Sequence, residues 1–123
     1  MSALRYTADH EWIRMESADT GAVGISNYAQ EQLGDIVFVE LPEIGRAVKR
    51  GEEVAVIESV KAAADCKAPV GGTVIEVNKL LADDPGKVNQ DPTGAGWFFK
   101  LRIEDARELD SLMDEAAYEA STK

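Results

Sequence analysis

Short runs of β-branched and aromatic residues, closed by glycine or proline, most constrain the fold of this chain. The first long run covers residues 35–41 and ends at Pro42, and a second covers residues 54–58. Residues 73–77 and 97–103 have a similar composition. Short strands at this spacing are typical of small sandwiches and barrels, so the pattern predicts a mainly β protein.

A helical signal interrupts the β pattern before the first long run. Asn27 and Gln30 stand at the spacing of a capping box, in which side chains satisfy the free N–H groups of a first helical turn. Gly34 follows and supplies a stop signal. These residues predict a short helix near residues 27–33.

The second helical signal lies near the C-terminus. Asp105 and Glu108 repeat the capping-box spacing. Apolar residues then recur at i, i+3, i+4 and i+7, at Leu109, Leu112, Met113 and Ala116. The pattern predicts an amphipathic helix near residues 106–119, whose acidic face is expected to be a solvated surface.

Size and charge limit the classes of function. With 123 residues, 45% of them hydrophobic, the chain has the length of one domain, and we expect residues 1–123 to form a single domain. The formal net charge of −10 disfavours nucleic acid and anionic membranes as partners, because both would repel the protein. The apolar runs are too short for a membrane span.

Cysteine content and the N-terminal residues bear on the compartment. Cys66 is the only cysteine, so neither an internal disulfide nor a multi-cysteine zinc site can form, and we expect no metal. Residues 1–6 lack the character of a targeting segment. We therefore expect a bacterial cytoplasmic protein, or a mitochondrial matrix protein if this is a mature eukaryotic form.

Lys61 lies where a β pattern gives way to small residues. A lysine at such a position is ordinarily the charged tip of a hairpin. Composition and periodicity alone do not distinguish that role from a chemical one.

Five segments of the chain, in order, resemble glycine cleavage H proteins. They include YTADHEW at residues 6–12 and VGISNYAQEQLGDIVFVELPEIG at residues 23–45. ESVKA at residues 58–62 resembles the lipoylation motif of the family, and VIEVN at 74–78 and NQDPTGAGW at 89–97 complete the set. A short lysine motif alone is weak evidence, whereas five ordered matches over most of the chain are highly specific.

The resemblance implies a fold, a cofactor and its site. The fold is a lipoyl/biotinyl-like barrel-sandwich hybrid of two small antiparallel sheets. The cofactor is lipoate, attached as N6-lipoyllysine at Lys61 by a lipoate ligase or lipoyl transferase. The attachment motif around it consists of Glu58, Ser59, Val60 and Ala62. The expected protein is a monomeric, non-catalytic carrier without catalytic residues of its own.

The resemblance also implies three partner enzymes. A pyridoxal-phosphate glycine decarboxylase loads an aminomethyl group onto the arm, and a tetrahydrofolate-dependent aminomethyltransferase removes the one-carbon unit. Dihydrolipoamide dehydrogenase then reoxidises the dithiol. Tethering the cofactor to a carrier raises its effective concentration at each enzyme.

Two acids, Glu11 and Asp65, match positions that the family has near the loaded arm. That arm ends in an amine that is cationic at neutral pH, so a nearby carboxylate would stabilise it. Around the arm, Ala64, Cys66 and Lys67 depart from the residues common in the family. The local surface is therefore expected to differ in detail.

Three alternatives stay open. A biotinyl carrier would also present a modified lysine, although its usual motif has methionine on both sides, where this chain has Val60 and Ala62. An H-like protein could use the same lysine to relay lipoate to other complexes.

A stand-alone enzyme could use Asp9, His10 and Glu11 for acid-base chemistry. On a strand, Asp9 and Glu11 would share one face and His10 would point away. Since His10 is the sole histidine and lies beside Trp12, we expect it to be packed or hydrogen-bonded within the fold rather than chemically active.

Overall fold

The computed structural model describes residues 4–122, and in this part of the chain most regular structure is β. The strands are β1 (Leu4–Tyr6), β2 (Glu11–Met15), β3 (Thr20–Ile25), β4 (Ile36–Glu40), β5 (Ala47–Val48), β6 (Glu53–Ser59), β7 (Ala63–Lys67), β8 (Gly72–Val77) and β9 (Phe99–Ile103). The helices are α1 (Asn27–Leu33), α2 (Leu80–Asp83), α3 (Lys87–Gln90), a 3₁₀ helix (Ala106–Ser111) and α4 (Glu115–Ser121). The predicted mainly β class is confirmed.

The strands form two sheets in which every pair is antiparallel. The larger sheet has the order β1-β2-β3-β9-β8-β5, and the smaller has the order β4-β6-β7. In the smaller sheet, Glu58 of β6 pairs with Ala63 of β7. The turn that contains Lys61 is therefore the end of a hairpin, as expected.

One buried apolar cluster joins the two sheets. Its members include Ile13, Val23, Val74, Phe99 and Leu101 from the larger sheet, and Ile36, Val39, Ile57 and Cys66 from the smaller one. Burying a large apolar side chain contributes about 1.5–3 kcal/mol, so this shared core fixes the hairpin relative to the larger sheet.

A second cluster forms around Trp12, which is fully buried. The indole N–H donates to the carbonyls of Ile25 and Pro92, at 2.8 and 3.0 Å. A Cβ on Gly24 would come within 2.7 Å of the ring. Glycine at position 24 of β3 therefore lets the indole pack against the strand backbone. β2 and β3 can then pair closely beside Glu11, the first residue of β2.

Four strands agree with the sequence prediction, as β4, β6, β8 and β9. The last begins at Phe99 rather than Trp97, because the Trp97 N–H donates to the Gly94 carbonyl within a turn. The other five strands were not predicted. Two glycines interrupt the β-branched residues of β3, and β7 is mostly small or charged, so neither forms a continuous run with the composition of a typical strand.

Helix α1 has the predicted bounds but a different cap. Ser26 is the N-cap, and its Oγ accepts a hydrogen bond from the Ala29 N–H at 3.1 Å. The Asn27 side chain instead accepts from the Gln30 amide at 2.8 Å. The helix ends at Gly34, as predicted, where φ is +78°.

The predicted single helix over residues 106–119 is divided into the 3₁₀ helix and α4. Met113, between them, forms an antiparallel bridge with Tyr6, with N–H to carbonyl distances of 2.8 and 2.9 Å. This extended pairing to β1 is incompatible with continuous helix. Asp105 caps the first piece as predicted, through the Arg107 N–H. No helix between residues 4 and 122 is long and apolar enough to cross a membrane.

Candidate functional site

Lys61 lies in the turn between β6 and β7 with its side chain exposed. The Ser59 Oγ accepts hydrogen bonds from the N–H groups of Lys61 and Ala62, at 3.2 and 3.0 Å. The Ser59 N–H donates to the Ala62 carbonyl at 2.8 Å. A serine hydroxyl that bonds nearby backbone in this way stabilises a tight turn. The amine of Lys61 is thus presented to solvent by an ordered backbone.

The remaining residues of the predicted motif are also accessible. Val60 is 65% exposed, and its N–H donates to the Asp35 carbonyl at 3.0 Å, which ties the turn to the chain before β4. Glu58 and Ala62 are exposed. An enzyme can therefore approach Lys61 together with its flanking residues.

The stem of Lys61 lies against Gly34, at the C-terminal end of α1. A Cβ on Gly34 would be 3.1 Å from Lys61 Cε and 3.8 Å from Nζ. Gly34 also has the positive φ that glycine adopts most easily. Glycine at this position therefore ends the helix and leaves space for the lysine.

A groove of about 360 Å³ borders the same helix. Its lining comes from α1, from the β6–β7 hairpin and from the segment that leads into β2. The lining residues are Asp9, His10, Glu11, Ile25, Tyr28, Ala29, Gln32, Leu33, Ile57, Ala64 and Asp65. Leu33 adjoins Gly34 in the chain, so this groove, hereafter the arm groove, reaches the helix end on which Lys61 lies. It brings together the predicted acids Glu11 and Asp65.

Glu11 is a buried carboxylate at the start of β2, only 2% exposed. The Thr7 hydroxyl donates to its Oε1 at 2.6 Å, and the Lys67 backbone N–H donates to its Oε2 at 3.2 Å. Burial raises the pKa of Glu11, although these two hydrogen bonds oppose the shift. The negative charge of Asp9 raises the pKa further.

Asp65 is exposed on β7 and borders the arm groove. Asp9 borders it as well, and its Oδ2 lies 3.6 Å from the Lys67 Nζ. This ion pair is partly exposed, so it contributes little to stability. Lys67 nevertheless places one positive charge near Asp9 and Glu11.

His10 does not point away from Asp9 and Glu11, because the strand begins only at Glu11 and His10 has φ +73°. All three residues border the arm groove. The His10 Nδ1 lies 2.7 Å from the Tyr118 hydroxyl, and the ring packs on Tyr28 with centroids 4.6 Å apart. The expectation that His10 is packed and hydrogen-bonded is confirmed.

Cys66 is completely buried in the shared core. Burial raises the pKa of its thiol well above the ordinary range, and the charges of Glu11 and Asp65 add to the effect. Since the thiolate is the form that exchanges with other thiols, Cys66 acts as a small apolar side chain rather than a redox partner.

A cavity of about 400 Å³ is bordered by Glu11 and Asp9 but not by Asp65. A cavity of about 480 Å³ lies beside β6 and the loop after β4, and it is bordered by Asp65 but not by Glu11. Among residues 4–122, no three histidine, cysteine or acidic side chains are grouped in a way that could hold a metal ion.

The apolar lining of the arm groove and the role of Thr7 have no signal in the sequence. The α1 residues Tyr28, Ala29 and Leu33 have no chemical signature of their own. Thr7 precedes Glu11 by four residues, and only the turn between β1 and β2 brings its hydroxyl onto the carboxylate. These contributions depend on the tertiary structure.

Two antiparallel sheets that share one core and present an exposed lysine at a hairpin turn define the lipoyl/biotinyl-like class of carrier folds. The family model for the glycine cleavage H-protein matches residues 4–123, and the chain belongs to this family.

Known members of the family are similar over nearly the whole chain. The glycine cleavage system H protein of Beijerinckia indica is 60% identical over 119 residues, 97% of this chain and 95% of the relative. That of Thermotoga maritima is 55% identical, with the same coverage of 97% and 95%. The crystal structure of the H protein from Mycobacterium marinum has a TM-score of 0.89 at 38% identity and covers 98% of this chain and 96% of its own. Family membership supports the carrier role, with lipoate as the cofactor of the family.

Proposed function

We propose that this chain is a single lipoyl-carrier domain of the glycine cleavage system, with lipoate attached to Lys61. It shuttles the aminomethyl group from the pyridoxal-phosphate glycine decarboxylase to the tetrahydrofolate-dependent aminomethyltransferase. It then presents the reduced arm to dihydrolipoamide dehydrogenase. The chain is the non-catalytic subunit of this system and acts as a monomer. A bacterial cytoplasm is its predicted location.

The observation that carries the proposal is the position of Lys61, exposed on an ordered turn beside the arm groove. A ligase needs a free amine that it can reach, and the turn offers one. The groove combines apolar side chains with carboxylates, which suits an arm with an aliphatic chain and a cationic end.

When attached, lipoate supplies a dithiolane whose reduced form holds the aminomethyl group. This chain's own residues would hold the loaded arm. Tyr28 and Leu33 offer apolar contact, and Asp65 and Glu11 offer negative charge to the terminal amine. Charge interactions are stronger near a buried group than in water, so Glu11 is the more effective of the two acids.

The buried position of Glu11 couples arm docking to its ionisation. Burial penalises the charged carboxylate, and a cation beside it offsets that penalty. The loaded arm is therefore expected to lower the pKa of Glu11, and ionised Glu11 is expected to retain the loaded arm. An arm that ends in a neutral group lacks this attraction.

The decisive experiment compares wild type with Lys61→Arg. After co-expression with a lipoate ligase, intact mass is expected to show one lipoyl increment on wild type and none on the variant, because arginine cannot form the amide. Glycine-dependent exchange of carbon dioxide with the decarboxylase is expected only from wild type. Lys79→Arg, at another exposed lysine, is the matched control and is expected to behave as wild type.

Each alternative has a distinct outcome. A biotinyl increment on Lys61 would replace lipoate as the cofactor, and equal exchange activity in Lys61→Arg would remove the carrier role. A lipoylated wild type that donates lipoate to other complexes, but supports no glycine-dependent exchange, would indicate a relay protein instead. Turnover of glycine by the unmodified protein alone would indicate an enzyme.

A further inference from the structure

The hydroxyl of Tyr118, on the C-terminal helix α4, lies between two residues that shape the arm groove. It is 2.7 Å from His10 Nδ1 and 2.6 Å from Ser26 Oγ. Tyr118 is only 6% exposed, and its ring stacks on Tyr6 with centroids 4.1 Å apart and planes 5° apart. The phenol is therefore fixed in position by its stacking on Tyr6 and by its hydrogen bonds to His10 and Ser26.

Its two partners hold different parts of the groove lining. His10 borders the groove directly, and its ring packs on Tyr28 of α1. Ser26 caps α1 through the Ala29 N–H, and the Ser26 N–H donates to the His10 carbonyl at 2.9 Å. Tyr118 thus joins the turn before β2 to the beginning of the helix that lines the groove.

The directions of the two hydrogen bonds at the Tyr118 hydroxyl depend on each other. A phenol has one proton, so when it donates to one partner it can only accept from the other. If Tyr118 donates to His10 Nδ1, Ser26 donates to Tyr118, and the neutral imidazole carries its proton on Nε2. If Nδ1 carries the proton, both bonds reverse. The tautomer of His10 therefore reports the state of the whole chain of hydrogen bonds.

The backbone of His10 makes such a restraint useful. Its φ of +73° lies in the left-handed region, which costs a non-glycine residue free energy unless surrounding contacts hold it there. The turn hydrogen bond from the His10 N–H to the Thr7 carbonyl is 3.2 Å long. The side-chain bond to Tyr118 supplies a second, shorter restraint on the same residue.

We propose that Tyr118 is a positioning residue for the docked lipoyl arm, acting through His10 and Ser26. This inference rests on the proposed function, since it concerns the groove in which the loaded arm is held. Tyr118 does not border the groove itself. It keeps the His10 turn and α1 at the separation that the arm requires.

The test removes only the hydroxyl, in Tyr118→Phe. The control is Tyr6→Phe, which removes the hydroxyl from the other ring of the stack; Tyr6 does not border the arm groove. Both proteins are lipoylated and loaded with glycine and the decarboxylase, which is then removed. The first measurement is the rate at which water breaks the carbon–sulfur bond of the loaded arm, releasing formaldehyde, ammonia and the free thiol.

Loss of the two hydrogen bonds of the hydroxyl is expected to speed this release about threefold to tenfold in Tyr118→Phe, and Tyr6→Phe is expected to match wild type. The second measurement is the ¹⁵N shift of His10 Nδ1, read without ambiguity because the chain has one histidine. The shift is expected to move in Tyr118→Phe and to stay in Tyr6→Phe, in both the unmodified and the loaded protein.

Release at the wild-type rate from a folded, loaded Tyr118→Phe would overturn the inference while leaving the carrier function intact. If this variant does not fold, wild type still decides the matter, because loading its arm must shift the His10 nitrogen signals. An unchanged His10 spectrum on loading would also overturn it. A wild type that cannot be lipoylated or loaded would instead count against the proposed function.

Discussion

At the scale of single residues, the site depends on what lies beside Lys61. Ser59 orders the turn through two backbone N–H groups, so the lysine amine is exposed without a flexible backbone beneath it. Gly34 permits the stem to lie on the end of α1, one residue after Leu33 of the arm groove. Ser59 and Gly34 thus determine the position of the Lys61 side chain and its amine.

Gly34→Ala is expected to destabilise the protein and to disturb Lys61. The new Cβ would sit 3.1 Å from Lys61 Cε on a residue with φ +78°. The backbone cost alone is about 1 kcal/mol, measured as the change in the free energy of unfolding in urea. The rate of enzymatic lipoylation is expected to fall as well, because the lysine stem must move.

Gly51→Ala is the control for this substitution. Gly51 has a similar φ of +83°, but nothing lies within 4 Å of the point that a Cβ would occupy there. It is expected to lose similar stability and to be lipoylated at the wild-type rate. Equal lipoylation rates for Gly34→Ala and Gly51→Ala would show that the Lys61 contact is unimportant.

At the scale of elements, α4 depends on its surroundings. A helix of seven residues is too short to be stable in isolation, so its cap and its tertiary contacts decide whether it forms. The Asp114 side chain accepts from the Ala117 N–H at 2.8 Å, and Tyr118 packs on Tyr6 of β1. The bridge between Met113 and Tyr6 brings the chain to the point where α4 begins.

Asp114→Ala is expected to weaken α4 selectively. Removing an N-cap side chain costs about 1 kcal/mol, because it leaves helical N–H groups without a partner. Hydrogen exchange is expected to accelerate at the amides of α4 and to change little in the two sheets. Asp110→Ala, an exposed acid in the 3₁₀ helix, is the comparison. Uniform acceleration throughout the chain would contradict a local role.

At the scale of the whole molecule, the fold buries the carboxylate of Glu11, although loss of hydration disfavours its charged form. The protein has a formal net charge of −10, yet Glu11 is the acidic side chain that is buried among the described residues. Its position between Thr7, the backbone of β7 and the arm groove is created by the meeting of the two sheets. The proposed docking of a cation gives this arrangement a purpose that stability alone does not.

The pH dependence of stability follows from the raised pKa of Glu11. The folded protein binds the proton of the Glu11 carboxyl more tightly than the unfolded chain does. Below the ordinary glutamate pKa the group is protonated in both states, so its ionisation does not change the free energy of unfolding there. As the pH rises through the ordinary and then the raised pKa, wild type is expected to lose free energy of unfolding relative to Glu11→Gln. Urea titrations between about pH 4 and pH 8 measure this difference.

Glu43→Gln is the matched control, because it removes an equal charge from an exposed glutamate. The loss of acceptor geometry in Glu11→Gln is expected to add an offset that does not vary with pH. Parallel stability curves for wild type and Glu11→Gln, or a difference of opposite slope, would contradict the prediction.

The predictability of the fold varied with local composition. The strands rich in valine, isoleucine and phenylalanine were found in the sequence, whereas β3 and β7 were not, since glycine and alanine have little preference of their own. Gly34 marks the end of α1 in the sequence, but the predicted cap, Asn27, lies one residue after the observed cap, Ser26. The C-terminal helix was predicted too long because the bridge between Met113 and Tyr6 joins residues far apart in the chain.

The sequence by itself determined the mainly β class, the hairpin position of Lys61 and the family resemblance, because each depends on residues close together in the chain or on ordered motifs. Only the tertiary structure decided that Glu11 and Asp65 share a groove and that Tyr118 reaches His10 and Ser26. The physical reason is that burial and side-chain contact arise where the sheets and helices pack. These contacts join residues that are far apart in the sequence, so local sequence patterns do not reveal them.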